Sequence, residues 1–152
     1  MDFRRACALD APKIAALEAD IFSDPWSERA VADCICRGGM CFVAMSDGEL
    51  LAYVIGMLIA PEGEIYRVAV REDKRQRGIG YRLLSYAMKT ERGAGVETVF
   101  LEVREKNIPA RSLYRAYGFS EVSVRKNYYQ NPTDNAVIMV IIADHRENDR
   151  TK

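Results

Sequence analysis

Two short stretches hold most of the residues able to do chemistry. In "RQRGIGYRLL", Arg75 and Arg77 flank a turn containing Gly78 and Gly80, which runs straight into a stripe of Ile79, Leu83 and Ala87. Glycine lets ligand oxygens approach the main chain, and free amides at a helix start favour phosphate. The chemistry suited to this turn is capture of a diphosphate, with arginine adding charge; a plain turn with solvated arginines is the alternative. The second stretch is "TVFLEVREKNIPARSLYRAYGF". Glu102 lies near the end of an alternating strand, where a carboxylate can take a proton directly or through one water. A solvated or ion-paired acid is its alternative. Asn107, Arg111 and Tyr114, spaced by four and three, share one helix face. A phenol there can donate a proton to sulfur and remain neutral at working pH, or can simply complete the core.

Other readings of these residues fail on identity. A Walker loop needs lysine then serine or threonine after its glycines, and a dinucleotide fingerprint needs a third glycine that "GIGYRL" lacks. A cysteine nucleophile needs an activating partner. The single histidine is His145, and none of Cys7, Cys34, Cys36 and Cys41 lies on the two strands that matter. Cys34 and Cys36, two apart on an expected helix, point to different faces, so no metal is expected and the thiols are read as reduced and mostly buried.

These groups need a frame to hold them. "DFRRAC" (2–7) reads as a first strand. Ile14, Leu17 and Ile21 mark a helix over 11–22, with Asp10 as its cap and Pro12 in its first turn. After "SDPW", Ser27 caps a second helix toward Cys36, ended by "RGG". "CFVAM" and "LLAYVIGMLIA" form a hairpin about "SDGE", and Pro61 with Gly63 marks a tight connection into "EIYRVAV". A helix over 78–91, the strand "TVFLEV", a helix over 107–117 and the strands "FSEVSVRKNYY" and "AVIMVIIA" follow, the last two joined by "QNPTDN". Residues 144–152 read as a flexible tail. The pattern is an α/β or α+β mixed sheet in one domain, 1–152. Propensity leaves the strand order open.

Composition narrows the class. Among 152 residues, 22 Lys and Arg balance 22 Asp and Glu, which favours neither a nucleic-acid binder nor a membrane-surface protein. No apolar run reaches the roughly 20 residues of a spanning helix, and "MDFRRACALDAP" does not read as a signal peptide. A cytoplasmic location is expected.

Arg75, Gly78 and Gly80 match the Q/R-x-x-G-x-G/A loop of the GCN5-related N-acetyltransferase (GNAT) superfamily, which this sequence resembles. The resemblance implies the GNAT acyl-CoA fold, a central mixed, mostly antiparallel sheet flanked by four helices, with acetyl-CoA as co-substrate and no metal. It sharpens in "LEVREKNIPARSLYRAYGF", "RKNYY", "DNAVIMV" and the early "DPWS", which are similar to bacterial enzymes that acetylate the N-terminal alanine of ribosomal protein S18. By that resemblance, Glu102 is the general base and Tyr114 protonates the departing thiolate. Val68, Ala69 and Val70 line the pantetheine; Arg75, Gln76, Arg77, Gly78, Ile79, Gly80 and Tyr81 hold the diphosphate; Asn107 and Arg111 complete the cofactor site. A β-bulge between Tyr66 and Val68 is expected to part the strands, with the Val68 N–H polarising the acetyl carbonyl.

The implied acceptor is a protein N-terminus, that of S18 or another, met by a monomer with no membrane or nucleic-acid partner. An α-amine is easier to deprotonate than lysine by about 2.5 pKa units, roughly 3.4 kcal/mol. Trp26, Glu62, Tyr128, Tyr129 and Asp134 are the expected acceptor rim, with Asp24, Glu28 and Glu64 adding negative charge. Two alternatives stay open. One is a lysine or small-amine acetyltransferase. The other is a non-catalytic CoA-binding or ribosome-associated protein whose patch of Arg67, Arg71, Lys74, Arg75, Arg77 and Arg82 meets RNA.

Overall fold

In the computed structural model, which describes residues 1–142, Asp47 and Gly48 take positive φ of 50° and 77°. They turn β2 (Phe42–Ser46) into β3 (Glu49–Ile59), in a geometry that suits the twist of paired strands. β3 passes through Ala60 and Pro61 into β4 (Glu62–Val70). Gly63, expected in that connection, is instead a strand residue. The expected tail at 144–152 lies outside the described residues.

β1 (Asp2–Arg5) stops earlier than its sequence suggests, because Asp10 gathers the chain behind it. The Asp10 carboxyl accepts from Cys7 N at 2.8 Å and from the Arg4 guanidinium at 2.7 and 2.9 Å, which folds Ala8–Asp10 into one 3-10 turn. Asp10 therefore does not cap α1 (Ala11–Ile21) with its side chain; its backbone is already helical and the carboxyl points back. Arg4 beside it lowers the Asp10 pKa to about 2. Ser27 does cap α2 (Glu28–Cys36), accepting from Ala30 N at 3.1 Å. Cys34 and Cys41 are buried but Cys7 and Cys36 are exposed, so the expectation of mostly buried thiols holds for only half of them.

α3 (Ile79–Gly93), β5 (Thr98–Arg104), α4 (Ile108–Tyr117), β6 (Ser120–Tyr129) and β7 (Asp134–Ile142) complete the chain. The sheet order is β1-β2-β3-β4-β5-β7-β6, and only β4 and β5 run parallel. Alternation sends Phe42, Val54, Ile65, Leu101 and Met139 to one face, where they pack with Leu83 and Leu84 of α3 and Tyr114 of α4. Val43, Tyr53, Ile55 and Ala69 face the other way, against Ile14 of α1 and Val31 of α2. This is the expected mixed, mostly antiparallel sheet flanked by four helices. The packing about Tyr53 and Ile55 places α1 and α2 over the β2–β4 half of the second face, and Glu102 emerges on that face farther along the sheet.

Candidate active site

The parallel pair is short. Glu62–Ile65 of β4 lie opposite Thr98–Leu101 of β5, and the pairing stops there although both strands continue. The cause is local to β4. Ile55 of β3 faces Arg67 while Gly56 faces Ile65, which leaves Tyr66 as an unmatched extra residue. Such a bulge bends its strand, and the expected site of the bulge, Tyr66 to Val68, is where it occurs. A side chain at Gly56 would collide with the Glu64 carbonyl, so the close approach that makes the bulge needs glycine on the facing strand. Past the fork, Val68 stands on one arm and Glu102 on the other.

Tyr114 reaches this fork from α4 and is only 4% exposed. Burial pushes its phenol pKa up, while the Val68 backbone N–H near it opposes that rise. The amide expected to polarise a carbonyl thus already faces a polar oxygen. Glu102 is 22% exposed and has Arg125 at 3.5 Å. The Glu102 carboxylate also holds the nearby Tyr128 phenol above its ordinary pKa. Glu64 lies across from Phe100, two residues before Glu102 and on the same face; burial first, then the Glu102 charge, raises its pKa. Burial and Glu102 together push Tyr129 up to about 12. A carboxylate pair, a neutral buried phenol and a main-chain N–H therefore converge where the strands part. This set can accept a proton, donate one and polarise an oxygen.

The loop after β4 is built from unusual backbone. Gln76 and Gly78 adopt φ of 61° and 74°, and α3 makes its first bond from Arg82 N to Gly78 O at 3.0 Å. The amides of Ile79, Gly80 and Tyr81 precede that bond, as the free amides of a helix start. The two glycines differ from expectation. Gly78 has open space around it and is needed for its left-handed backbone, whereas a side chain at Gly80 would meet Val70 at 3.2 Å and Leu113 at 3.3 Å. Gly80 lets α3 sit tightly on β4 and α4. The Arg75 Nε donates to Val70 O at 3.1 Å; Arg77 is exposed; Ile79 is in the core; the Tyr81 ring lies 5.7 Å from Tyr117.

Other expected site residues do not converge on the fork. Asn107 spends its side-chain oxygen capping α4, accepting from Ala110 N at 3.3 Å. Arg111 is tied to Glu121 at 2.8 Å and to Glu105 O at 2.7 Å, so the helix face it was expected to share with Tyr114 splits between β6 and β4. Asp134, expected on the acceptor rim, is 7% exposed and accepts from Lys106 N at 3.1 Å and Asn135 N at 2.8 Å. It organises the start of β7. Glu62 is exposed at the far, closed end of the β4–β5 pair. The basic patch is likewise dispersed: Arg67 pairs with Glu18 and Asp24, Arg71 with Glu49 and Asp73, and Arg82 lies over the Phe3 ring.

The aromatics expected on the rim fall in two pairs. Trp26 lies 5.4 Å from Tyr66, and Tyr128 meets Tyr129 edge-on at 5.1 Å. Sequence reasoning missed what holds the second pair. Arg104 of β5 donates to Pro132 O at 2.7 Å and Gln130 O at 2.9 Å, and lies 4.5 Å over the Tyr129 ring. Its alternation with Glu102 was the available signal. Among the described residues, no group of three or more His, Cys, Asp or Glu is placed to hold a metal, and no helix is long and apolar enough to cross a membrane.

Comparison with known proteins gives the family and the fold. The model of the acetyltransferase (GNAT) family matches residues 11–119. A [ribosomal protein bS18]-alanine N-acetyltransferase of Escherichia coli K12 is 31% identical over 134 residues, 87% of this chain and 90% of that one. The crystal structure of the ribosomal-protein-S18-alanine N-acetyltransferase from Escherichia coli superposes with a TM-score of 0.85 at 28% identity, covering 95% of this chain and 96% of that one. Ard1 from Thermoplasma volcanium shares the fold, with a TM-score of 0.87 at 23% identity over 95% and 98% of the two chains.

Proposed function

The chain belongs to the acetyltransferase (GNAT) family, whose members use acetyl-CoA on amines, and from that premise we propose that it acetylates the N-terminal α-amine of a protein, with ribosomal protein S18 as its acceptor. The observation that carries this reading is the fork between β4 and β5, bounded by the Val68 N–H, Glu102 and Tyr114. Acetyl-CoA places its diphosphate on the amides from Gln76 to Tyr81 and its thioester in the fork. The acceptor amine approaches between the Trp26–Tyr66 and Tyr128–Tyr129 pairs. Glu102, with Glu64 beside it, takes the amine proton directly or through water. The nitrogen bonds to the acetyl carbon, the carbon–sulfur bond breaks, and Tyr114 returns a proton to the thiolate. Val68 N–H turns from the phenol oxygen to the carbonyl oxygen as charge grows there.

The test is product mapping. Given acetyl-CoA and an alanine-initiated peptide with an internal lysine, the enzyme is expected to place the acetyl group on residue 1, read by fragment mass spectrometry. Exclusive lysine modification overturns the acceptor assignment. Absence of any thiol release with this and small-amine acceptors overturns the reaction.

A further inference from the structure

One polar cluster lies beside the fork and takes no part in the steps above. Glu18 of α1 is fully buried, yet three donors point at its carboxylate: the Tyr53 hydroxyl at 2.6 Å, the Arg67 guanidinium at 2.6 Å and Trp26 N at 3.0 Å. Arg67, 15% exposed, also reaches Asp24 twice, at the carbonyl (3.0 Å) and at the carboxylate (3.1 Å). Its guanidinium lies 4.1 Å over the Phe22 ring. Main-chain or side-chain contacts at Phe22, Asp24 and Trp26, the loop between α1 and α2, therefore lead to this one pair. A buried ion pair is weak grounds for stability, because the desolvation of two charges offsets their attraction. Its worth is positional.

The position it sets is that of the acceptor rim relative to the reacting strand. Arg67 is the residue after the bulge, and the bulge leaves Tyr66 and Arg67 facing the same α1–α2 side. The next residue, Val68, carries the amide that faces Tyr114. We infer that Arg67 is a positioning residue for the acceptor: through Glu18 and Asp24 it holds the Phe22–Ser27 loop, and with it Trp26, at a fixed place beside the reacting segment of β4. This rests on the proposed acetylation of a peptide amine. A planar guanidinium suits the task, since it serves two carboxylates and a carbonyl at once where an ammonium would act as a single point.

The test separates a tether from a fold contact. Arg67→Met leaves Glu18 buried and unpaired, so it is expected to lower Tm as well as activity. The double variant Glu18→Gln/Arg67→Met removes both charges. It is expected to recover most of the Tm and to keep the wild-type acetyl-CoA KM, with kcat within about threefold, while the KM for the alanine-initiated peptide stays raised about tenfold. A double variant with the wild-type peptide KM overturns the inference, as does one in which peptide and acetyl-CoA KM rise together. Failure of the wild type to acetylate the peptide counts against the proposed function and this inference alike, whereas wild-type turnover with an unmoved peptide KM in the double variant counts against this inference alone.

Discussion

Glu102 of β5 and Tyr114 of α4 both border the fork, and the proposed reaction gives each a separable role. Glu102→Gln is expected to lower kcat by about 10²–10⁴-fold and Tyr114→Phe by about 10²-fold, with acetyl-CoA KM changed by less than about threefold; steady-state kinetics decides. Unchanged kcat in both removes the assignment. Glu64 gives a signature in stability. Its folded pKa is raised above the ordinary 4.5, so its relative contribution is fully present below that value and lost as pH rises through the folded pKa. Glu64→Gln should therefore match or exceed the wild-type Tm at pH 7, and the difference should shrink toward pH 4. A Tm gain that grows on acidification would reverse the sign. The elements that carry Glu102 and Tyr114 were legible because strand alternation and helical spacing are short-range properties, while their roles were read from the family resemblance. Glu64 was read only as acceptor-side charge, Arg67 only within the basic patch and Arg104 not at all, since Glu64 and Arg67 meet Glu102 and Glu18 from 38 and 49 residues away and Arg104 meets Gln130 and Pro132 from 26 and 28.

At the scale of elements, the junction of α3 with β4 joins cofactor binding to packing. Gly80 sits where a larger side chain would press on Val70 and Leu113, both ordinary core partners of that junction. Gly80→Val is expected to destabilise the fold by about 1–3 kcal/mol and to raise the acetyl-CoA KM, because the helix start that bears the free amides is pushed outward. Chemical denaturation and acetyl-CoA titration check the two effects, and a variant of wild-type stability would show that the helix has room to spare. Most elements were visible in the sequence: the Asp47–Gly48 turn, the Ser27 cap and the alternating run ending at Glu102 each follow from local preference. Asp10 misled because Arg4 and Cys7 compete for the carboxyl that a helix cap would use. Asn107 and Arg111 were read as cofactor contacts; the partners their side chains show are the α4 cap and Glu121.

For the whole molecule, the proposed site links ligand and fold through the gap between the two arms of the sheet. Acetyl-CoA at about 100 times its Kd should add about 2.7 kcal/mol to stability. For a chain of this size that is a rise in Tm of roughly 5–10 °C, measurable by thermal denaturation with and without the ligand. No rise would leave the gap without its ligand. The sheet order escaped the sequence because adjacency is chosen by nonlocal packing: β7 lies beside β5 so that Val137 and Met139 meet Val103 and Leu101 on the helix-covered face, which leaves β6 at the edge. The extra residue in β4 has one more outcome. The mouth between the arms owes its shape to Gly56, an atom-poor position on a neighbouring strand that has no chemistry of its own. A methyl group added at that spot would strike the Glu64 carbonyl, so the opening that the proposed reaction needs depends on a residue that handles neither reactant.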